Sequence, residues 1–184
     1  MPLIPQGNAL FLDRDGVINQ RPYNDYVKNV SDFQFIPGVI ESIAYLSDRY
    51  NPIVVVTNQQ GIGKGNMTDD DLEYIHHFMI DNINKGGGRI DKIYHCGDLA
   101  NTKSLFRKPA PGMGLKARKD FPTIRFKRSV MVGDTLTDML FGKRLGMHTI
   151  LIDQHDYLPR KFPELINYRF ASLKEFADKL KLIQ

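Results

Sequence analysis

Reactive side chains follow four apolar segments of the sequence, each at or shortly after the end of the segment. Taken singly, each has an ordinary structural role, since an Asp after a strand often caps the next helix, Thr-Asn forms turns, and Arg-Lys before Pro lies in solvated loops. Carboxylates, a hydroxyl and cations that occur together in this order indicate a catalytic site instead. The four groups are Asp13-Arg14-Asp15-Gly16, Thr57-Asn58-Gln59-Gln60, Arg107-Lys108-Pro109 and Gly133-Asp134-Thr135, with Asp138 four residues after Asp134.

The apolar segments themselves are short and rich in β-branched residues, which is typical of strands covered on both faces. They alternate with helical patterns, and this alternation predicts an α/β fold: a single Rossmann-like domain over residues 1–184, with a central, mainly parallel sheet and helices on both faces. The predicted strands are Ala9–Leu12, Pro52–Thr57, Ile90–His95, Val130–Gly133, Thr149–Ile152 and Tyr168–Ala171. Helices are predicted after Pro37-Gly38, from Thr68 to the glycines 86–88, over Gly112–Lys119 and Thr137–Leu145, and from Ser172.

Ligands of such sheets bind outside the carboxyl ends of the strands, which is where the four groups lie. The segment from Asn19 to Ser31 and the glycines 86–88 are too short to hold a large cap domain. The sequence therefore predicts an open site at one edge of the sheet, with specificity provided by the surrounding loops.

Composition limits the possible partners and compartments. The 184 residues include 42% hydrophobic and 25% charged residues, which is ordinary for a globular protein. The net charge of +4 is spread along the chain, apart from a basic stretch at 116–128, so nucleic-acid binding is not favoured. The first residues lack a signal-peptide pattern and no segment approaches the ~20 apolar residues of a membrane span, so we expect a cytoplasmic protein with no membrane partner.

The four groups resemble the four motifs of the haloacid dehalogenase-like phosphatases. Longer strings are similar to one branch of these enzymes, the heptose 1,7-bisphosphate phosphatases and the related histidinol-phosphatases. The resemblance extends from about Leu10 to about Ile152. The strings are Asp13 to Asn19, Phe33 to Val39, Val56 to Ile62 and Arg107 to Met113.

This resemblance implies a Mg²⁺-dependent phosphatase that works through an aspartyl-phosphate. Asp13 would be the nucleophile, and Asp15 would be the general acid and then the general base. The metal would bind the carboxylates of Asp13 and Asp134 and the backbone carbonyl of Asp15, since Mg²⁺ prefers hard oxygen ligands. Asp138 would orient the metal shell through water or Lys108 rather than bind the ion.

The resemblance also implies how the phosphate is bound. The Thr57 hydroxyl, the Asn58 backbone N–H and the Lys108 ammonium would contact its oxygens, which completes a catalytic set of Asp13, Asp15, Thr57 and Lys108. Arg107 is the candidate for a guanidinium fork onto the substrate. The loops at 21–26, 59–64 and 97–107 would provide the remaining contacts. The predicted substrate-binding residues are Asn58, Gln59, Gln60, Arg107, Arg21 and Tyr26.

The predicted substrate is a small phosphorylated metabolite, with D-glycero-D-manno-heptose 1,7-bisphosphate as the best match. Histidinol phosphate is the alternative, and a polynucleotide 3′-phosphate is a further one. A binding protein with a degenerate site is disfavoured because all the catalytic residue types are present. The enzyme is expected to be a monomer or a small homo-oligomer.

Two features depart from the heptose branch. Members of that branch often carry a zinc loop with several cysteines, whereas this chain has only Cys96, so no internal disulfide is possible and no structural zinc is expected. Thr135 stands where the branch often has Lys, which removes a cation from the site.

Overall fold

A six-stranded parallel sheet forms the centre of the protein, which we describe from a computed structural model over residues 4–23, 25–153 and 157–182. Its strands are β1 (Leu10–Leu12), β2 (Ile53–Asn58), β3 (Lys92–Cys96), β4 (Val130–Gly133), β5 (His148–Ile152) and β6 (Tyr168–Phe170). Their order across the sheet is β3-β2-β1-β4-β5-β6. Leu12 at the end of β1 therefore lies between Val55 of β2 and Val132 of β4, and the chain leaves these three strands at the same edge.

Helices cover both faces of this sheet. They are α1 (Val39–Ser47), α2 (Gln60–Gly63), α3 (Asp69–Lys85), α4 (Gly112–Asp120), α5 (Leu136–Leu145), α6 (Tyr157–Lys161) and α7 (Leu173–Lys181). Short 3₁₀ turns occur at Val30–Asp32, Phe126–Arg128 and Pro163–Leu165. The predicted α/β fold is thus confirmed, and each of the six predicted strands is present with its ends shifted by at most two residues.

Alternation along β1 divides the core between the two faces. Leu10 and Leu12 face one side and pack with α1, α3 and α7, whereas Phe11 faces the other side and packs with α4 and α5. All three side chains are fully buried. Because β1 has helices over both faces, its apolar residues are continuous rather than alternating with polar ones.

The capping side chains predicted from the sequence are present at the starts of two helices. Thr68 and Asp71 form a reciprocal capping box at the start of α3, and Gly86 ends the helix. At the start of α7, the Ser172 hydroxyl accepts the backbone N–H of Glu175. One prediction was wrong in detail: residues 59–64, expected as a loop, contain the single helical turn α2.

The described segments around the sheet edge are short. Between β1 and α1 the chain forms loops and one 3₁₀ turn, and between β2 and α3 it forms only α2, so no folded cap stands over the edge within the described residues. In the same part of the chain, none of the helices has the length and apolar character that a membrane span requires.

Candidate active site

The carboxyl ends of β1, β2 and β4 bring three of the four predicted groups together, and the 107–109 loop adds the fourth. Gly16 allows the loop after β1 to come close to Asp134. Its φ of 87° lies in the left-handed region, and a Cβ there would stand 2.1 Å from Asp134 Oδ2. Any side chain at this position would therefore displace Asp134. The glycine explains how the loop after β1 can lie against the end of β4.

Lys108 is buried between two carboxylates. Its Nζ lies 2.9 Å from Asp13 Oδ1 and 2.5 Å from Asp138 Oδ1. Asp138 also accepts the backbone N–H and the hydroxyl of Thr135 on its other oxygen, at 3.0 and 2.5 Å. Both oxygens of Asp138 are thus engaged, and its negative charge holds the Lys108 ammonium against Asp13.

Burial sets the ionisation of this cluster. It raises the pKa of Asp13 to about 7, and the charge of Asp138 adds to the rise while Lys108 opposes it. Burial alone would lower the pKa of Lys108, but Asp13 and Asp138 outweigh it and the pKa lies above its usual value. Lys108 is therefore a permanent cation, and Asp13 needs further positive charge beside it to be fully ionised near neutral pH.

A second cation is in place on the other side of Asp13. The Arg21 guanidinium donates to both oxygens of Asp134, at 2.8 and 3.1 Å, and to the backbone carbonyl of Asp15 at 2.8 Å. Its Nη2 is 3.6 Å from Asp13 Oδ2. Burial raises the pKa of Asp134, and the charge of Arg21 partly offsets the rise.

These oxygens also fit a divalent metal ion. Asp13, Asp134 and Asp138 each offer a carboxylate oxygen within 4.8 Å of the others. They are buried or half-buried, and the donors are all hard oxygens of the kind that Mg²⁺ prefers. Lys108 and Thr135 engage both oxygens of Asp138, and Lys108 is buried. Among the described residues, the Asp134 carboxylate and the Asp15 carbonyl are engaged only by the Arg21 side chain, which is 46% exposed and can move away. Asp13, Asp134 and the Asp15 carbonyl are therefore the set that could hold the ion.

Asp15 points to a different group of donors. Arg14 Nη2 donates to both of its carboxylate oxygens at 3.0 and 3.1 Å, and Asn19 and Gln59 donate at 2.9 Å each. Burial acts to raise the pKa of Asp15, but the charge of Arg14 and these hydrogen bonds outweigh it and the pKa lies below its usual value. Asp15 is therefore held as a carboxylate in a fixed position.

Arg14 and Asn19 are site residues that the sequence reasoning did not single out. Arg14 is fully buried, and its Nη1 donates to His76 Nε2 at 3.3 Å. Burial lowers the pKa of His76 to about 3, so the ring is neutral and can accept. The signal for both residues was their place in the string from Asp13 to Asn19, where Arg14 lies between two acidic side chains and Asn19 four residues after Asp15.

A cleft of about 260 Å³ opens above Asp13. That volume is just below the range common for drug-sized ligands, so the cleft suits a small metabolite. It collects nearly all the residues predicted to bind phosphate or substrate and adds two threonines that start α5. Its lining residues are Asp13, Asp15, Arg21, Tyr26, Thr57, Asn58, Gln60, Arg107, Lys108, Thr135 and Thr137.

Gln60 connects the loops around this cleft. Its amide donates to the Tyr26 hydroxyl at 3.0 Å and accepts the backbone N–H of Ala100 at 3.0 Å. Arg107, half-buried on the same rim, donates to the Asp98 carbonyl at 2.9 Å. The three loops predicted to determine specificity are therefore held together by side-chain hydrogen bonds.

Gln59 corrects one prediction of substrate contact. Its side chain is 1% exposed and lies beneath the cleft, where its amide donates to Thr57 Oγ1 at 2.7 Å as well as to Asp15. The oxygen of the same amide accepts from Arg14. With both ends of its amide engaged, Gln59 orients two neighbours rather than forming part of the cleft wall.

Asn58 has a comparable double role for its side chain. The Asn58 amide donates to the Lys108 carbonyl at 3.0 Å and accepts the Lys108 backbone N–H at 2.9 Å. This pair of bonds fixes the 107–109 loop to the end of β2.

Cys96, at the end of β3, donates to Asp98 and lies 3.6 Å from the Ser104 hydroxyl. The absence of structural zinc stays a prediction.

Comparison with known proteins identifies relatives over most of the chain. A family model described as HAD-hydrolase-like matches residues 105–174. The D-glycero-alpha-D-manno-heptose-1,7-bisphosphate 7-phosphatase of Campylobacter jejuni is 35% identical over 173 residues, covering 94% of this chain and 95% of the relative. The D-glycero-beta-D-manno-heptose-1,7-bisphosphate 7-phosphatase of Vibrio cholerae is 40% identical over 151 residues, covering 78% and 80%.

A solved structure agrees with these relatives in fold. The D,D-heptose 1,7-bisphosphate phosphatase of B. bronchiseptica, complexed with magnesium and phosphate, superposes with a TM-score of 0.87 at 27% identity, over 97% of this chain and all of that one. The parallel sheet and the acidic cluster at its carboxyl edge thus define a phosphatase of the haloacid dehalogenase-like class, as predicted. Within that class, the chain belongs to the family of the heptose-1,7-bisphosphate 7-phosphatases.

Proposed function

We propose that this chain is a Mg²⁺-dependent phosphatase that removes one phosphate from D-glycero-D-manno-heptose 1,7-bisphosphate. The observation that carries the proposal is Asp13 itself, a buried carboxylate at the floor of a small cleft, with Lys108 on one side and Asp134 on the other. Such a carboxylate faces an incoming phosphate only if cations mask the repulsion between the two anions. Lys108 supplies one of these cations, and bound Mg²⁺ would supply the other at Asp13, Asp134 and the Asp15 carbonyl.

The reaction proceeds in two displacements. An oxygen of Asp13 attacks phosphorus, the bond from phosphorus to the sugar oxygen breaks, and that oxygen takes a proton from Asp15. Water then attacks the phosphorus of the aspartyl-phosphate and gives a proton to Asp15, and the bond to Asp13 breaks to release inorganic phosphate. The donors on Asp15 favour its carboxylate, so Asp15 must take up a proton before the first displacement, and the carboxylate left by that step is the form that accepts the proton from water.

The walls of the cleft would bind the rest of the substrate. The Thr57 hydroxyl, the Asn58 N–H and Lys108 would contact the reacting phosphate, since they line the cleft beside Asp13. Arg107 and Tyr26, on the rim, would contact the part of the substrate that does not react. Gln60 would act with them by holding Tyr26, and Gln59 would position Thr57 and Asp15 from below.

The domain organisation, compartment and oligomeric state in this proposal are those expected from the sequence. We propose a single catalytic domain over residues 1–184, acting in the cytoplasm as a monomer or a small homo-oligomer. A polynucleotide substrate is not favoured, because the basic stretch at 116–128 runs through α4 to the chain just before β4, at the edge of the sheet opposite the cleft. The basic stretch therefore does not form a positively charged wall beside Asp13.

A panel of phosphate esters assayed with Mg²⁺ tests this function. We expect kcat/KM to be higher for the heptose bisphosphate than for histidinol phosphate or a DNA 3′-phosphate. Arg107→Ala should lower kcat/KM for the bisphosphate by roughly 10- to 100-fold, because a charge-assisted fork contributes ~1.5–3 kcal/mol, while a small generic ester is affected much less.

The control for charge is Arg128→Ala, which removes the same charge from an exposed position before β4. It should leave kcat/KM unchanged for every substrate. Faster turnover of histidinol phosphate than of the heptose bisphosphate by the parent enzyme would replace the proposed substrate with the alternative one.

Replacing a proposed metal ligand should increase the Mg²⁺ concentration that the enzyme requires. In Asp134→Ala we expect the Mg²⁺ concentration for half-maximal activity to rise by more than the ~10–100-fold typical of losing a group that merely orients a ligand, or activity to be lost. Asp178→Ala on α7, an exposed carboxylate paired with Lys174 and Lys181, provides the matched control. Identical Mg²⁺ curves for Asp134→Ala and the parent enzyme would rule out the ligand role, and elemental analysis of the same samples would test the expected absence of zinc.

A further inference from the structure

The Arg21 guanidinium lies on the oxygens that fit a metal ion. Its Nη2 is 2.8 Å from the Asp15 carbonyl, 2.8 Å from Asp134 Oδ1 and 3.6 Å from Asp13 Oδ2, and its Nε is 3.1 Å from Asp134 Oδ2. These three groups are the ones that would hold Mg²⁺. One side chain of the protein therefore already places a positive charge where the metal charge would be.

Arg21 and Mg²⁺ cannot both use these oxygens in this arrangement. Mg²⁺ requires its ligands at ~2.0–2.1 Å in near-octahedral order, which leaves no room for N–H donors on the same lone pairs. Two cations side by side also repel each other strongly in a partly buried site. Metal binding therefore requires the guanidinium to move.

The position of Arg21 allows this movement. The side chain is 46% exposed, and the residue lies in the loop that follows β1, outside any helix or strand. Rotation about its side-chain bonds would carry the guanidinium away from Asp134 without disturbing the core. Because Arg21 also lines the cleft, a guanidinium released from Asp134 would remain within the region where the substrate binds.

We propose that Arg21 is a tethered cation that competes with Mg²⁺ for Asp13, Asp134 and the Asp15 carbonyl, and that the guanidinium displaced by the metal binds an oxyanion of the substrate. Metal binding and phosphate binding are thereby coupled through one side chain. The inference rests on the proposed phosphatase function, since it takes these oxygens as the metal site. It predicts opposite effects of one mutation on the two ligands.

Metal affinity measured without substrate tests the first half. Mn²⁺, which shares the oxygen preference of Mg²⁺, is titrated into the full chain while the free-ion EPR signal is recorded, and Mg²⁺ affinity is obtained by competition. We expect Arg21→Ala to bind Mg²⁺ about tenfold more tightly, because the metal then no longer has to break a charge-assisted hydrogen bond from Arg21. Arg21→Lys, which keeps the charge but loses the fork, should fall between Arg21→Ala and the parent.

Arg107→Ala is the matched control in this experiment. It removes the same charge from the same cleft, but Arg107 donates to the Asp98 carbonyl and not to Asp134. An equal gain in Mg²⁺ affinity in Arg107→Ala and Arg21→Ala would mean a general effect of charge and would overturn the proposal, as would unchanged or weaker binding in Arg21→Ala. If neither the parent nor the variants bound the metal, the Mg²⁺-dependent function would fail as well, so the two failures are distinguishable.

Phosphate affinity tests the second half. With Mg²⁺ saturating, inorganic phosphate is titrated calorimetrically into the parent, Arg21→Ala and Arg128→Ala. We expect phosphate binding to weaken about tenfold in Arg21→Ala and to stay unchanged in Arg128→Ala. Equal phosphate affinities in Arg21→Ala and the parent would overturn the substrate role of the displaced guanidinium.

Discussion

Asp13→Asn is expected to lower kcat by ~10³-fold or more while leaving the protein folded. An amide of the same shape cannot attack phosphorus, so the covalent route is closed. The fold should tolerate the change because Lys108 keeps its 2.5 Å contact with Asp138. Burial already makes the charge on Asp13 unfavourable, so neutralising it removes a costly buried anion rather than a stabilising one.

The measurement combines steady-state kinetics with thermal unfolding of both proteins. Mass spectrometry of acid-quenched reactions should show a phosphorylated peptide containing Asp13 in the parent and none in Asp13→Asn. A variant with near-parental kcat would disprove the nucleophilic role of Asp13. A variant that failed to fold would show instead that the charge on Asp13 is needed for stability.

Strand and helix placement could be predicted because local signals were strong. Consecutive β-branched residues at 53–56 indicated a strand covered on both faces, and Thr68 with Asp71 indicated the start of α3. Strand order was not predicted, because β1 pairs with β2 and β4 through contacts 43 and 120 residues apart in sequence, as the register of Leu10 with Ile53 and Val130 shows. No local pattern encodes such pairings.

The sequence predicted most of the side chains that line the cleft, but not the direction of each side chain. The sequence placed Gln59 among residues that contact substrate, yet its amide is engaged by Thr57, Asp15 and Arg14. Arg21 was predicted to bind substrate, yet it lies on Asp134. Each outcome depends on which of several nearby partners a long polar side chain satisfies, and sequence spacing does not determine that choice.

Lys108→Met is expected to damage stability and catalysis together. It leaves Asp13 and Asp138 buried without the ammonium that lies within 2.9 Å of both, and loss of one partner from a buried ionic group costs about 3–5 kcal/mol of unfolding free energy. It should also lower kcat by ~10²–10³-fold, since the phosphate loses a fixed positive charge. Urea denaturation in EDTA measures the stability without a contribution from bound metal.

A control variant separates the effect of burial on the stability loss from the effect of contact distance. Lys174 on α7 also lies 2.5 Å from a carboxylate, that of Asp178, but the pair is exposed, so Lys174→Met should produce no measurable loss of stability. Equal losses from Lys108→Met and Lys174→Met would refute this explanation, because the shortest contact distances of the two lysines are the same.

The double variant Lys108→Met/Asp138→Asn separates the structural role of Lys108 from its catalytic one. The amide that replaces the Asp138 carboxylate is neutral, and Asp13 alone can take up a proton near neutral pH, since its pKa is raised to about 7. Much of the lost unfolding free energy should therefore return. Catalysis should not return, because no cation then stands in place of the Lys108 ammonium beside the phosphate. Recovery of kcat in the double variant would show that Lys108 serves only to neutralise Asp138, whereas recovery of stability alone would assign its charge to the transferred phosphate.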